Sequence, residues 1–407
     1  MTAANDDSGR LAVSRSMILA PLALVGAGGA ALAWGLFASP ERTWLNLLVD
    51  AFYFMSLGVS AIFFFATQRL TSARWSVALR RIPEAFMLTL PVAAVLMTAL
   101  LVFGREAIYP WTAPDAFAHD PAIAGKATYL RPDFVVARMA AVLAIWIAFA
   151  WRIRRVSLAQ ESDPQHRFND PGRSLLAHAR LDRSAAAFAP IFALTFTAAA
   201  YDWIISLEPD WFSTMFAVYV FAGTFVQGIA AITLATVLLA RRGLLGDRVG
   251  AQQFHDLGKM LFAFSTFWAY IWVCQYLLIW YGDLPEEVTY YIRRTSGGWL
   301  PLFLGSLAVN WIVPFFALLS VRAKRSPRVL AAVSVLFLLG HWLDLYIMVM
   351  PSKWTAPRFG LIELGLALGC AALFCLASLR GLARAPLVPT NDPVLTSTGG
   401  PSRGVEP

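Results

Sequence analysis

Hydrophobic positions along this chain gather into ten long runs with polar residues between them, at 17–38, 44–66, 82–104, 133–151, 185–206, 212–240, 258–281, 299–320, 329–350 and 360–379. A helix needs about 20 apolar residues to cross the hydrocarbon of a bilayer. The pattern predicts an all-α, polytopic membrane protein with about ten transmembrane helices. It divides into a tail at 1–16, a flanking first helix at 17–43, a four-helix bundle at 44–206, a second at 212–350, a flanking last helix at 360–379 and a tail at 380–407. The C-terminal tail, rich in Pro, Gly, Ser and Thr, reads as disordered. The longest connections, 105–132 and 152–184, read as caps or lids, too short to bury a core of their own.

Composition agrees with a lipid solvent. Hydrophobic residues make up 58% and charged residues only 14% of the chain, against about 25% charged in soluble domains. Of the 33 Lys and Arg residues, 24 fall in the N-terminal tail, 67–81, 152–184, 241–259, 321–328 and the C-terminal segment, whereas 8 fall in the alternate connections. Positive charge accumulates on the cytoplasmic side, so both termini are expected there. The net charge of +8 then reflects this bias and attraction to anionic lipid headgroups, and nucleic acid is not an expected partner. Residues 1–16 are polar, and the following apolar run exceeds the core of a cleavable signal, so the first span is expected to be retained.

Several spans carry ionisable residues, each costing about 2.5–3.5 kcal/mol or more at the bilayer centre. With the termini inside, Asp50, Arg138, Asp202, Asp344 and Glu363 fall in the outer half, Glu84, His255, Asp256 and Lys259 gather at the inner ends, and His341 lies between. Arg138 cannot neutralise four carboxylates. At least one of the four is expected to be protonated or solvated, because burial and like charge both disfavour the carboxylate form. Asp50 and Glu363 are close enough to the outer interface to be hydrated; Arg138 could serve only as an ion-pair partner; Asp256 and Lys259 have the spacing of a helix-surface pair. His341 and Asp344, at i,i+3, share one face deep in the membrane.

Cys274, Cys370 and Cys375 lie inside spans without paired spacing, which supports neither an iron-sulfur cluster, a zinc site nor covalent haem. Of the five histidines only His341 is near a midplane; His178 and His255 flank the inner face, and His119 and His166 lie in loops. The sequence also echoes itself: Asp202 and Asp344 each stand among aromatics seven residues before a proline, Pro209 and Pro351. Spans two to five and six to nine therefore read as parallel repeats of a four-helix unit.

Residues 201–221 (YDWIISLEPDWFSTMFAVYVF), the blocks FHDLGKMLFAF, FWAYIWVCQYLLIWYGDLPEE and GGW within 254–299, Asn310-Trp311-x-x-Pro314-Phe315, and DLYIMVMP at 344–351 resemble ActF. That family supplies a membrane subunit of alternative complex III, a bacterial quinol-oxidising assembly, and its wider relatives are the NrfD and polysulfide-reductase membrane subunits. The resemblance spans about 40–380. It implies two four-helix bundles with flanking helices in the bacterial cytoplasmic membrane, no haem or cluster in this chain, and an iron-sulfur protein, multihaem and monohaem cytochrome c subunits and a paralogous NrfD-like subunit as partners. Electrons would pass to cytochrome c or a terminal oxidase. Within such a complex the chain could bind quinone, conduct protons through Asp202, His341, Asp344, Glu84, His255, Asp256 and Lys259, or couple conformations; a structural anchor and a secondary transporter are the alternatives. The proline-interrupted spans (Pro91, Pro190, Pro314) lack the matched pair that transporters show.

The charge bias predicts that engineered cysteines in 67–81, 152–184, 241–259 and 321–328 stay unmodified by a membrane-impermeant thiol reagent added from the periplasm, while cysteines in 105–132 react. Labelling of 152–184 from outside would reverse the orientation.

Overall fold

The computed structural model describes residues 9–113, 116–117, 124–162, 171–389, 392 and 394–395. Among these residues ten helices are long and apolar enough to cross a membrane. They are α1 (Arg15–Ala38), α2 (Pro40–Leu70), α3 (Arg81–Ile108), α4 (Pro132–Ser162), α5 (Pro171–Trp203), α6 (Phe216–Arg241) and α7 (Ala251–Gly282), followed after a short helix α8 (Pro285–Thr295) by α9 (Leu300–Ala317), α10 (Pro327–Val349) and α11 (Leu361–Leu382). Local chemistry sets several starts. Ser14 accepts the Met17 N–H, while Pro40, Pro285 and Pro327 occupy first helical positions that need no donor.

Spans two to five close on themselves: α2 packs on α3, α3 on α4, α4 on α5, and α5 returns to α2. The next four spans close likewise, through α6–α7, α7–α9, α9–α10 and α10–α6. The two groups meet where α2 lies against α6 and α10. Accordingly 89% of the spanning window of α2 and 83% of that of α6 are buried, against 6% for α1. α1 instead presents Leu19, Leu22, Trp34 and Phe37 outward, an apolar face suited to lipid.

α1 lies on α11 through small residues. A Cβ on Gly28 would stand 2.7 Å from the Gly369 Cα, and one on Gly365 would stand 2.4 Å from the Ala31 Cβ. Where hydrocarbon surrounds both helices, close backbone approach of this kind drives association.

The ends depart from the hydropathy pattern. α4 and α5 run well past their apolar stretches, so 152–184 is mostly helix rather than a lid; Arg81–Glu161 and Arg69–Asp182 ion pairs hold those extensions. The described part of the C-terminal tail is packed rather than disordered. The Leu387 N–H donates to the Gly9 carbonyl at 3.1 Å, Leu387 is buried, and the buried Asp392 meets Arg80 at 2.5 Å. These contacts bring Gly9 and the described residues after α11 to one face. Segment 105–132 does cap the opposite face as far as it is described, with Tyr109 and Trp111 buried and Lys126 donating to the Pro209 carbonyl. His119 and His166 lie outside the described residues.

Candidate functional site

The four carboxylates assigned to the outer half divide into two pairs. Glu363 takes Arg42 in a two-pronged pair at 2.7 Å for both contacts and also accepts from Asn46 at 2.9 Å. Asp202 takes Arg138 likewise, at 2.6 Å on both prongs. The Arg138 guanidinium also lies 3.8 Å from the Tyr129 ring centre. Planar two-pronged pairing is the strongest form of carboxylate neutralisation. Arg42 thus answers the shortage of cations that the sequence suggested. Both Asp50 and Glu363 are buried. Among the described residues Asp50 and Asp344 have no guanidinium or ammonium partner. Asp50 accepts from the Trp342 indole at 2.8 Å, and its other oxygen has no hydrogen-bond partner.

Asp344 stands in the second group of four helices. Its Oδ1 accepts from the Tyr219 hydroxyl at 2.5 Å and from Ser306 at 3.3 Å, and Ser306 in turn accepts from Asn310 at 3.2 Å. Asn310 belongs to a wide π turn, Ala308–Ile312, a local distortion common at functional positions. The His341 Nδ1 is 3.7 Å from Asp344 Oδ2, too far for a direct hydrogen bond. Among the described residues His341 Nε2 and Asp344 Oδ2 make no hydrogen bond of ordinary length, and the Trp268 indole stands beside Asp344. α6 makes room for the imidazole at Gly223, where a Cβ would stand 2.3 Å from His341 Cε1. The expected i,i+3 pair is therefore together and buried.

A narrow cavity with room for about one water molecule opens beside Asp344, lined among others by Tyr219, Gln275, Tyr290, Tyr291 and Arg294. Arg294 donates to Glu208 at 2.6 Å and to the Met348 carbonyl at 2.6 Å, and its guanidinium lies 3.3 Å from the Tyr290 ring centre. Arg293 adds a second bond to Glu208 at 2.7 Å. Burial opposes the Arg294 cation, but Glu208 and Tyr290 outweigh it and raise its pKa above the usual value. Burial pushes the Tyr290 and Tyr291 phenols up, so both remain neutral hydroxyls. Glu208, Tyr290, Tyr291, Arg293 and Arg294 fall outside the apolar runs. Their signal was the pattern of 285–295, acidic residues in the first turn and two arginines in the last, which suits a helix dipole.

No family model and no curated protein matches the chain.

The residues expected at the inner mouth separate. Glu84 is buried among Arg80 at 3.3 Å, Arg81 at 2.7 Å and Ser157, and its carbonyl accepts from Arg154 at 2.9 Å. All these partners come from the start of α3 or from α4. Asp256 instead pairs with Lys259 on its own helix at 2.6 Å, and the lysine is mostly exposed; His255, the preceding residue, is half-buried. The hydrogen-bonded chain from Asp344 stops at Asn310. Among the described residues no cluster of His, Cys, Asp and Glu is arranged to hold a metal ion.

Removing one partner of a buried ion pair strands the other charge, at about 3–5 kcal/mol. Arg138→Met should therefore lower unfolding stability of the detergent-solubilised protein by that order, and Arg138→Met with Asp202→Asn should recover most of the loss. Equal loss in both would show that packing, not charge, dominates at this pair.

Proposed function

We propose that this chain is an ActF-like membrane subunit of a respiratory quinol:cytochrome c oxidoreductase, and that its second four-helix bundle offers protons a place to bind and pass. In this reading both termini face the cytoplasm of a bacterial cell, and the two closed groups of four helices are parallel repeats. Electrons move through an iron-sulfur subunit, multihaem and monohaem cytochromes and a paralogous membrane subunit, toward cytochrome c or a terminal oxidase.

The observation that carries the proton reading is the contrast between the two echoed aspartates. Asp202 is neutralised by a two-pronged arginine, whereas Asp344 is met by a tyrosine hydroxyl, a serine and a nearby imidazole. Hydroxyl, carboxyl and imidazole each accept and donate protons, and a carboxyl without a cation can be neutralised by a proton instead. The cavity beside it leads toward α8, the face that the charge bias places outside. That cavity has room for about one water molecule, which suits water better than a quinone ring.

One observation favours a second reading, a structural anchor. The polar chain from Asp344 ends at Asn310 and does not reach Glu84 or Asp256.

Two measurements test these readings. Gentle solubilisation of native membranes and affinity capture of this chain should bring down an iron-sulfur protein, multihaem cytochromes and a second ten-span subunit. Recovery of the chain alone, without redox partners, would remove the respiratory assignment. In the assembled complex, Asp344→Asn keeps size and hydrogen bonds, yet coupled turnover should fall about tenfold or more, within the scale of a lost proton-transfer group. His341→Leu should act in the same direction. Wild-type quinol oxidation and proton-to-electron ratio in both variants would leave the anchor reading.

A further inference from the structure

Three residues that line the cavity beside Asp344 carry buried polar atoms without a hydrogen-bond partner among the described residues. Gln275 is 4% exposed, and neither its Oε1 nor its Nε2 has a hydrogen-bond partner. A buried amide with both ends unmade is costly, because each group has lost its water without replacing it. Arg294 Nε and Asp344 Oδ2 are also buried without partners, and both residues line this cavity. Two unpaired donors and two unpaired acceptors therefore belong to residues around one space. The other walls are aromatic rings together with Ile347 and Met348, and Trp272 and Phe303 lie 4.6 Å apart between ring centres.

The geometry points to a bound-water site held by Gln275, Arg294 and Asp344. Buried water typically makes about three hydrogen bonds to groups that would otherwise be unsatisfied. The free space, about one molecule wide, matches that ligand. An amide is suited to the task because it can donate and accept at once, so it holds water in either orientation. A dry cavity of this size would be apolar throughout; this one is not.

The site places water between Asp344 and the Arg294–Glu208 pair. Gln275 is then a positioning residue, which fixes the water without exchanging a proton itself. This role as a link for protons rests on the proposed function, whereas the water site stands on the cavity and its unpaired atoms.

Radiolytic hydroxyl labelling of the assembled complex tests the site, because radicals form where water is bound. In the wild type, Tyr291, Trp272 and Met348, which line the cavity, should be modified, and in Gln275→Leu their modification should fall several-fold. Gln275→Met, similar in length and without hydrogen bonds, serves if leucine impairs assembly. No modification in the wild type, or equal modification in the variant, would overturn the water site. Coupling separates this inference from the broader one. If Asp344→Asn lowers the proton-to-electron ratio and the Gln275 variant also lowers it, at unchanged quinol affinity, the link is supported. If Asp344→Asn lowers it and the Gln275 variant does not, the link is overturned although proton transfer through Asp344 stands. If neither variant changes the ratio, the proton reading itself fails and the link falls with it.

Discussion

A charge inside a hydrocarbon layer has no water to solvate it, and most of the architecture follows from how each charge in this chain finds a partner. Arg42 and Glu363 tie the start of α2 to the start of α11, and α11 in turn carries α1 on its small-residue face. Arg138 and Asp202 join α4 to α5. Glu208, from the turn after α5, receives Arg293 and Arg294 from α8, and Arg294 also reaches the Met348 carbonyl on α10. One arginine therefore connects both helix groups at the face opposite the termini.

Within that frame the uncharged contacts are of two kinds. Small residues bring α1 and α11 together, while aromatic rings fill the wider gaps, as where Phe63 meets Phe192, Phe221 and Phe225. Lipid tails are as apolar as leucine, so the gain comes from close contact and not from excluding water. Such packing tolerates little displacement. That rigidity holds His341 against Gly223 and beside Asp344.

Asp344 is the exception to the pairing rule, together with Asp50. An uncompensated carboxyl in a packed interior is costly to keep, and its surroundings are unusually polar for this depth: Tyr219, Ser306, Asn310, His341 and Gln275 come from α6, α9, α10 and α7. Their convergence on one group, next to a cavity that ends at the Arg294 pair, distinguishes the second helix group from the first. At the echoed position of the first group an arginine closes the same kind of site.

The ten spans were legible in the sequence because hydrophobicity is a property of a local window. His341 and Asp344 were legible together because helical spacing alone puts i and i+3 on one face. Tertiary structure decided the partners. Arg42 and Glu363 are 321 positions apart, and Arg294 and Glu208 are 86 apart, so no local pattern could join them. The separation of Glu84 from Asp256 belongs to the same class: equal depth along two helices says nothing about which helix faces which. α4 and α5 extended beyond their apolar runs because ion pairs between distant segments hold polar helix at the membrane edge. The tail beyond α11, disordered by composition, was ordered where Leu387 and Asp392 found Gly9 and Arg80. Composition measures a segment's affinity for water; only the assembled surface determines whether a particular partner outweighs it.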